Sequence, residues 1–341
     1  MKRFVCGLLM ICLLLSGCAG TAEPEKKQYN ATFLTLFDTV TVITGKAESQ
    51  DIFAEKAQTV HDALLQYHQL FDIYNDYEGV VNLKTVNDNA GIAPVEVDRR
   101  IIELLLDCKE YYELTGGRVN PAMGSVLKLW HEARNDGLDD PASAYLPDQA
   151  ALEDAARHMD FEQIVIDEAL STVYIPDPAM CLDVGAVAKG WSVQRVCEEA
   201  PTGLLVSVGG NVCATGPKDE AGTPWVVGVQ DPDGGDKYLH TLTVTEGSVV
   251  TSGDYQRAYM VDGKMYHHII DPNTLYPSEY WRSVTILCPD SGLADALSTA
   301  LFLLPLEEGK ALLEKTGAEA MWVNSAGERF YSPGFEKSIR N

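Results

Sequence analysis

The stretch from Val250 to Leu301 constrains this chain more than any other. An apolar run enters a polar turn at Thr251-Ser252-Gly253-Asp254-Tyr255, and a second run, Ala258 to His267, is interrupted by Asp262-Gly263. Asp-Gly between two apolar strands is a strong two-residue hairpin signal. His267 to Pro272 (HHIIDP) follows, then a strand pattern from Arg282 to Leu287 and an apolar helix from Gly292 to Leu304. Strands with a helix packed on them within so short a span make the chain α+β. The helix carries Asp295 and Thr299 four residues apart, on one face. A carboxylate and a hydroxyl offer hard oxygen ligands, which suit Mg²⁺ and not a thiophilic metal. Pairs at this spacing are common and most only cap or face solvent, so the pair decides nothing by itself.

The rest of the chain alternates in the same way. Leu34 to Thr44 alternates as a strand, and Gln50 to Tyr74 has helical periodicity. Asp98 to Leu114 reads as a second helix closed by Gly116-Gly117, and Pro121 to Arg134 as a third. Asn135 to Pro147 reads as a surface loop. A helix from Asp148 to Arg157 and a hairpin from Gln163 to Ile175 precede a helix that starts near Asp183 and runs to about Glu199. Strands are expected at Leu204–Val208, Trp225–Val229 and Tyr238–Thr245, and a last strand pair near Met321 to Tyr331.

The N-terminus adds an address. Lys2 and Arg3 precede an apolar run from Phe4 to Leu15, too short to span a bilayer, which leads into Leu15-Ser16-Gly17-Cys18. The pattern is that of a bacterial lipoprotein signal. Residues 1–17 are expected to be the signal peptide, Cys18 the lipidated residue, 18–31 a polar tether and 32–335 the functional domain. The expected location is the outer face of the cell membrane, held by lipid.

The formal net charge is −24, and loss of Lys2 and Arg3 with the leader makes it two units more negative. A chain this acidic excludes nucleic-acid binding through a general basic surface. Beyond the leader lie Cys108, Cys181, Cys197, Cys213 and Cys288, an odd number with no C-x-x-C spacing. An exported protein usually forms disulfides, but these mostly apolar surroundings favour buried free thiols.

Several motifs in order resemble the ApbE-like flavin transferases, the FAD:protein FMN transferase family. Leu182 to Trp191 (LDVGAVAKGW) is similar to the family's D-x-G-[AG]-x-A-K-G block, and Leu204 to Gly216 (LLVSVGGNVCATG) to its strand followed by Gly-Gly. Trp225 to Pro232 (WVVGVQDP) resembles its W-x-[VI]-G-[IV]-x-x-P strand, and the 250–301 region its histidine loop and A-D-A-x-x-T helix. Phe37 to Val42, Phe71 to Asn87 and Gly116 to Trp130 match more loosely, so the resemblance runs from roughly Thr35 to Gly327. It implies one integrated T-fold-like domain of mixed and antiparallel sheets with packed helices, and flavin bound across its middle.

The resemblance also implies a site. Mg²⁺ would be held by Asp295, Thr299 and the main-chain carbonyl of Ala186, while Ser298 is either a further oxygen ligand or a hydroxyl bonded to its own helix. Asp183 and Lys189 would contact the flavin nucleotide, although Asp183 equally reads as a helix N-cap. Thr251, Ser252, Gly253 and Asp254 would form a tight polar loop around phosphate or ribose, and Ile269 would also contact the flavin nucleotide. Phe37, Tyr74, Asn120 and Ala122 fall where the family lines the isoalloxazine ring. His268 is the motif's histidine. It is expected to be catalytic with Asp295, either taking the acceptor hydroxyl's proton or fixing the loop over FAD. Asp271, before Pro272, reads as a turn-former and not a base. Asn120, Leu275 and Asp38 depart from the family pattern, which has an acid and two glycines at those positions.

Three functions follow. The first is Mg²⁺-dependent transfer of FMN from FAD to a Thr or Ser hydroxyl, releasing AMP. The implied acceptors carry a D-x-x-[ST]-G-A-[ST]-like segment, as in membrane redox-pump subunits or extracytoplasmic flavoproteins. The second is Mg²⁺-dependent FAD hydrolysis to FMN and AMP at the same site. The third is a non-catalytic flavin-binding lipoprotein, against which Asp295 and Thr299 both argue.

Overall fold

A computed structural model describes residues 26–235 and 237–340. Residues 1–17, expected as a signal peptide, and Cys18 lie outside the described residues. Strands β1 (Lys27–Leu36) and β2 (Thr39–Ala47) form an antiparallel hairpin whose turn residues, Phe37 and Asp38, both have φ of 52°. The run from Leu34 to Thr44 is therefore two strands and not one. A two-residue reversal preserves the alternation of apolar positions, so the period conceals it. β1 also begins inside the 18–31 stretch expected as tether, which shortens any tether to the residues before Lys27.

Helix α1 (Gln50–Phe71) starts where the Ser49 hydroxyl accepts the Ile52 N–H, and α2 (Leu83–Asp88) starts on an Asn82/Thr85 capping box. β3 (Val95–Glu96) leads to α3 (Arg99–Leu114), capped by Asp98, and then to α4 (Gly124–Asp139). α4 continues through residues 135–139, which the sequence places in a loop. Its buried face extends past Trp130 through Ala133 to Gly137, and that packing outweighs the poor helix propensity of Asn-Asp-Gly. α5 (Gln149–Ala155) precedes β4 (Val165–Asp167) and β5 (Thr172–Tyr174), which form a small sheet with β3.

α6 (Ala188–Glu199) is followed by β6 (Leu204–Val208), β7 (Asn211–Ala214), β8 (Trp225–Gln230), β9 (Tyr238–Val244) and β10 (Gly247–Gly253). β11 (Tyr259–Val261) and β12 (Lys264–Tyr266) turn at Asp262-Gly263, as the hairpin signal requires. β13 (Ser283–Cys288), α7 (Ser291–Phe302), α8 (Leu306–Leu313), β14 (Glu319–Val323) and β15 (Arg329–Tyr331) close the chain. Thr251, Ser252 and Gly253 are the end of strand β10, paired with Thr285, Val284 and Ser283, and not a free loop. Thr-Ser-Gly lacks the apolar alternation that marks a strand, and only its pairing with β13 reveals one.

The main sheet runs β1-β2-β6-β7-β10-β13-β14-β15, and every named strand pair is antiparallel. On one face, α6, α7 and α3 build the largest core, around Trp191, Phe302 and Trp322. On the other, the separate β8–β9 ribbon packs over Val249, Met321 and Phe335. The final residues are integral to the fold: Ile339 bridges Leu242, and the Arg340 N–H donates to the Thr241 carbonyl. α7 is buried along most of its length, because it lies between α6 and the β10–β13 part of the sheet. That position carries Asp295 to the floor of a cavity. The five described cysteines are free, four of them buried. Among the described residues no helix is long and apolar enough to cross a membrane.

Candidate active site

A cavity of about 720 Å³ opens where the β1–β2 turn, α4, the start of α6, the end of β10 and the loop after β12 converge. Phe37, Tyr74, Asn120, Asp183, Ala186, Lys189, Thr251, Ser252, Gly253, His268, Ile269, Asp295 and Thr299 all line it. Residues scattered over most of the sequence are thus collected at one place.

Asp295 is only 3% exposed. Its Oδ2 accepts the Gly190 N–H at 2.8 Å, and its Oδ1 lies 3.5 Å from Lys189 Nζ. The Gly190 bond reshapes the first turn of α6. In an uninterrupted helix that amide would bond to the carbonyl four residues back, at Ala186. Here it goes to Asp295, and the Ala186 carbonyl, which precedes the helix, receives no backbone hydrogen bond among the described residues. The Thr299 hydroxyl, half-buried and facing the cavity, has no hydrogen-bond partner among the described residues. One carboxylate, one hydroxyl and one released carbonyl therefore offer oxygen atoms to the same space. The set fits a hard divalent cation such as Mg²⁺. Among the described residues no three His, Cys, Asp or Glu side chains gather as a metal site, so the fit rests on this mixed oxygen set. Ser298 is buried outside the cavity lining, and its hydroxyl bonds to the Asp295 carbonyl (2.9 Å) and Ser252 Oγ (2.8 Å). Of its two readings, the helix-bonded one describes its placement.

The arrangement depends on Gly190. A Cβ there would stand 2.3 Å from the Ser291 carbonyl and 2.4 Å from Asp295 Cβ, so α6 and α7 touch backbone to backbone. Gly190→Ala is expected to force the helices apart, costing about 1–3 kcal/mol of stability. A thermal melt checks this, and an unchanged Tm would show that the contact yields freely.

Asp183 does not cap α6. The N-cap position is Val187, and the Asp183 carboxylate accepts the Gly185 N–H at 2.8 Å in the turn before the helix. Val187 and Ala188 both donate to the Val184 carbonyl, so a tight turn takes up the residues that the sequence pattern assigned to the helix. Burial raises the Asp183 pKa above the usual carboxylate value, partly offset by the Gly185 amide, His131 and Arg257.

Other expected residues are placed less directly. The Asn120 amide is engaged at both ends, donating to the Met159 carbonyl and accepting the Ala122 N–H. Ala122 itself is fully buried behind the wall, outside the lining. Asp271 forms the turn expected of it: its Oδ1 accepts the Asn273 N–H, while Arg118 grips the carboxylate at 3.0 and 3.1 Å. Asp38 and Leu275, the two positions where the family pattern has glycine, both hold positive φ (52° and 62°). The backbone keeps the glycine conformation, and Leu275 is held in it by its N–H to the Asp271 carbonyl and its own carbonyl to Trp130 Nε1.

The two histidines divide their work. His267 is buried, with Nε2 donating to the Ser278 carbonyl at 2.7 Å and Nδ1 accepting the Ile269 N–H, so it fixes the loop. His268 Nδ1 donates to the Gln256 carbonyl at 3.1 Å, which leaves Nε2 as its free acceptor. Burial, then Arg257, His267, Lys189 and Arg134, push the His268 pKa down to about 3. The imidazole is therefore neutral.

The sequence did not single out Arg134, Arg257 or His131. All three line the cavity, and His131 hydrogen-bonds Tyr74 Oη at 2.8 Å. Neither Arg134 nor Arg257 has a carboxylate partner among the described residues. Arg257 sits at φ 50° and reaches the Phe37 carbonyl. These guanidinium groups supply the local positive charge that an acidic chain must concentrate to hold an anion. His131 and Arg134, three apart on one helix face, carried a weak periodic signal; Arg257 carried none.

A profile of the ApbE family matches residues 37–322. An FAD:protein FMN transferase from Treponema pallidum is 34% identical to this chain, over 92% of this chain and 90% of its own length. One from Klebsiella pneumoniae is 31% identical, over 77% of this chain and 83% of its own. The fold superposes on the crystal structure of the ApbE protein from Thermotoga maritima with a TM-score of 0.80 at 30% identity, covering 92% of this chain and 100% of that one. The flavin transferase ApbE from Vibrio cholerae, 21% identical with a TM-score of 0.74, shares the fold.

Proposed function

The chain belongs to the ApbE family, and from that premise we propose that it transfers FMN from FAD to a Thr or Ser hydroxyl of another protein, releasing AMP. The observation that carries the proposal is the cavity in which an oxygen set for a divalent cation, two unpaired guanidinium groups and a neutral histidine face one another. FAD is a dianion at its pyrophosphate. Arg134, Arg257 and Lys189 meet that charge, and Phe37 and Tyr74 offer apolar surface to the ring. The acceptor oxygen bonds to the FMN phosphorus as the bond from that phosphorus to the bridging oxygen breaks, and the bridging oxygen leaves with AMP. The hydroxyl proton passes to His268 Nε2 and on to water.

Asp295, Thr299 and the Ala186 carbonyl are the residues that would hold Mg²⁺, whose chemistry is to neutralise charge on the phosphate oxygens. Asp295 does two jobs, since its other oxygen organises the first turn of α6. Incubating the chain from Ala19 onward with FAD, Mg²⁺ and a carrier protein bearing a terminal D-x-x-T-G-A-T segment tests the reading. A flavin-fluorescent carrier band and stoichiometric AMP are expected. AMP and free FMN without a labelled carrier would favour hydrolysis instead.

We also propose that Cys18 anchors the enzyme by lipid on the extracytoplasmic side, near membrane redox subunits or exported flavoproteins that act as acceptors. Its support is the signal pattern. Cys18→Ser is expected to release the protein from membranes while leaving transfer by the purified enzyme unchanged. Membrane fractionation and mass spectrometry of the mature N-terminus check this; an unlipidated Cys18 would end the assignment.

A further inference from the structure

A second cavity, of about 560 Å³, lies between the main sheet and the β8–β9 ribbon. The ribbon and sheet pack tightly further along, over Val249 and Leu242, and the chamber is where that packing stops. Ser207 and Val212, a cross-strand pair on β6 and β7, form its sheet wall. Gly210, Gln230, Thr251 and Gln256 line both this chamber and the larger cavity, so they frame a window between the two. Gly210 has φ of 92°, and a Cβ built there meets nothing within 4 Å, so this side of the window is open. Gln256 is the residue whose carbonyl holds His268 Nδ1. The window therefore opens beside the histidine that faces the phosphates.

β8 gives the chamber its character. β9 pairs β8 on one side and touches Ile339 on the other, while the far edge of β8 has no strand partner among the described residues. Val227 and Gly228 both line the chamber, although successive side chains on a strand point to opposite faces. Gly228 has no side chain, so its backbone forms part of the wall, beside the Tyr238 ring from β9. An unpaired edge of this kind receives an extended chain through main-chain hydrogen bonds.

We infer that the acceptor protein reaches the flavin phosphate through this second chamber, as an extended segment laid along β8 that passes its Thr or Ser hydroxyl through the window. The inference rests on the transferase reading above. Transfer requires the hydroxyl opposite the bond to AMP, while FAD fills the first cavity, so donor and acceptor need separate approaches. The chamber supplies one that ends at His268. A space of about 560 Å³ takes a few residues of extended chain and excludes a folded surface.

Ser207 and Val212 line this chamber and not the first cavity, so Ser207→Trp and Val212→Trp fill the chamber from the sheet side at positions outside the nucleotide cavity. Each variant is compared with the unaltered chain in FAD affinity, AMP release with water as acceptor, and labelling of the carrier protein bearing the terminal D-x-x-T-G-A-T segment. The expected result is a tenfold or greater rise in KM for the carrier, with FAD affinity and water-driven AMP release within about twofold. Should tryptophan at either position prevent folding, Ser207→Leu and the rim variant Lys237→Glu are expected to show the same split to a smaller degree. Carrier labelling unchanged in folded variants would overturn the chamber as the acceptor route. Parallel loss of FAD affinity would overturn it too, by making the chamber part of the nucleotide site. An unaltered chain that hydrolyses FAD but never labels the carrier would instead overturn the transferase reading, and this inference with it.

Discussion

Asp295→Ala is expected to lower FMN transfer by about a thousandfold or more, because in the proposed mechanism several kcal/mol of charge stabilisation at the phosphates would depend on a cation that its carboxylate would help to hold. The same substitution leaves the Gly190 N–H without its acceptor in a buried place, a further cost of about 1–3 kcal/mol in stability. Asp295→Asn separates the two effects. The amide oxygen can still accept from Gly190, so the chain should melt near the unaltered Tm, yet the anionic ligand is gone and transfer should stay low. Mg²⁺ titration by calorimetry gives a readout independent of turnover: both variants should bind Mg²⁺ at least tenfold more weakly. Full turnover in excess EDTA, or full activity in Asp295→Asn, would remove the metal from the mechanism.

His268→Asn is expected to reduce transfer by about a hundredfold, the usual contribution of a positioned proton acceptor, while FAD binds nearly as before. The pH dependence should carry a specific signature. In the free protein the His268 pKa lies at about 3, below the ordinary 6.5, so the imidazole is neutral throughout the physiological range. The kcat/KM profile should therefore show no limb near 6.5 from this residue. Bound FAD places two negative charges beside Lys189, Arg134 and Arg257 and offsets the cations that depress His268, so the limb should appear in the kcat profile, above the free-protein value. Stability follows the same linkage. Between 6.5 and about 3 the unfolded imidazole takes up a proton that the folded one refuses, so His268 favours unfolding progressively as pH falls through that window. An Asn variant that transfers normally, or that fails to bind FAD, would assign His268 to loop geometry and not to proton transfer.

Much of this was legible in the amino-acid order. Asp295 and Thr299 share a helix face because helical spacing fixes it, and the Asp262-Gly263 turn is a local backbone preference. The α+β class follows from alternating periods, and the family from several short motifs in sequence. Such features depend on residues near one another along the chain, or on residue types at fixed offsets, and a sequence records both directly.

What it could not record is who meets whom across the fold. The polar run Thr251 to Gly253 reads as a loop until β13 is seen to take its hydrogen bonds, and Phe37-Asp38 as mid-strand until the hairpin reverses there. The Gly190 amide is met by a carboxylate more than a hundred residues away, and among the described residues the neighbouring Ala186 carbonyl takes no backbone hydrogen bond. Arg257 carries no local signature at all; what marks it is its place in the cavity beside the half-buried His268, with no carboxylate in ion-pair contact among the described residues. Desolvation, unpaired charge and a diverted hydrogen bond are properties of packed neighbours, and packing is decided by the tertiary structure alone.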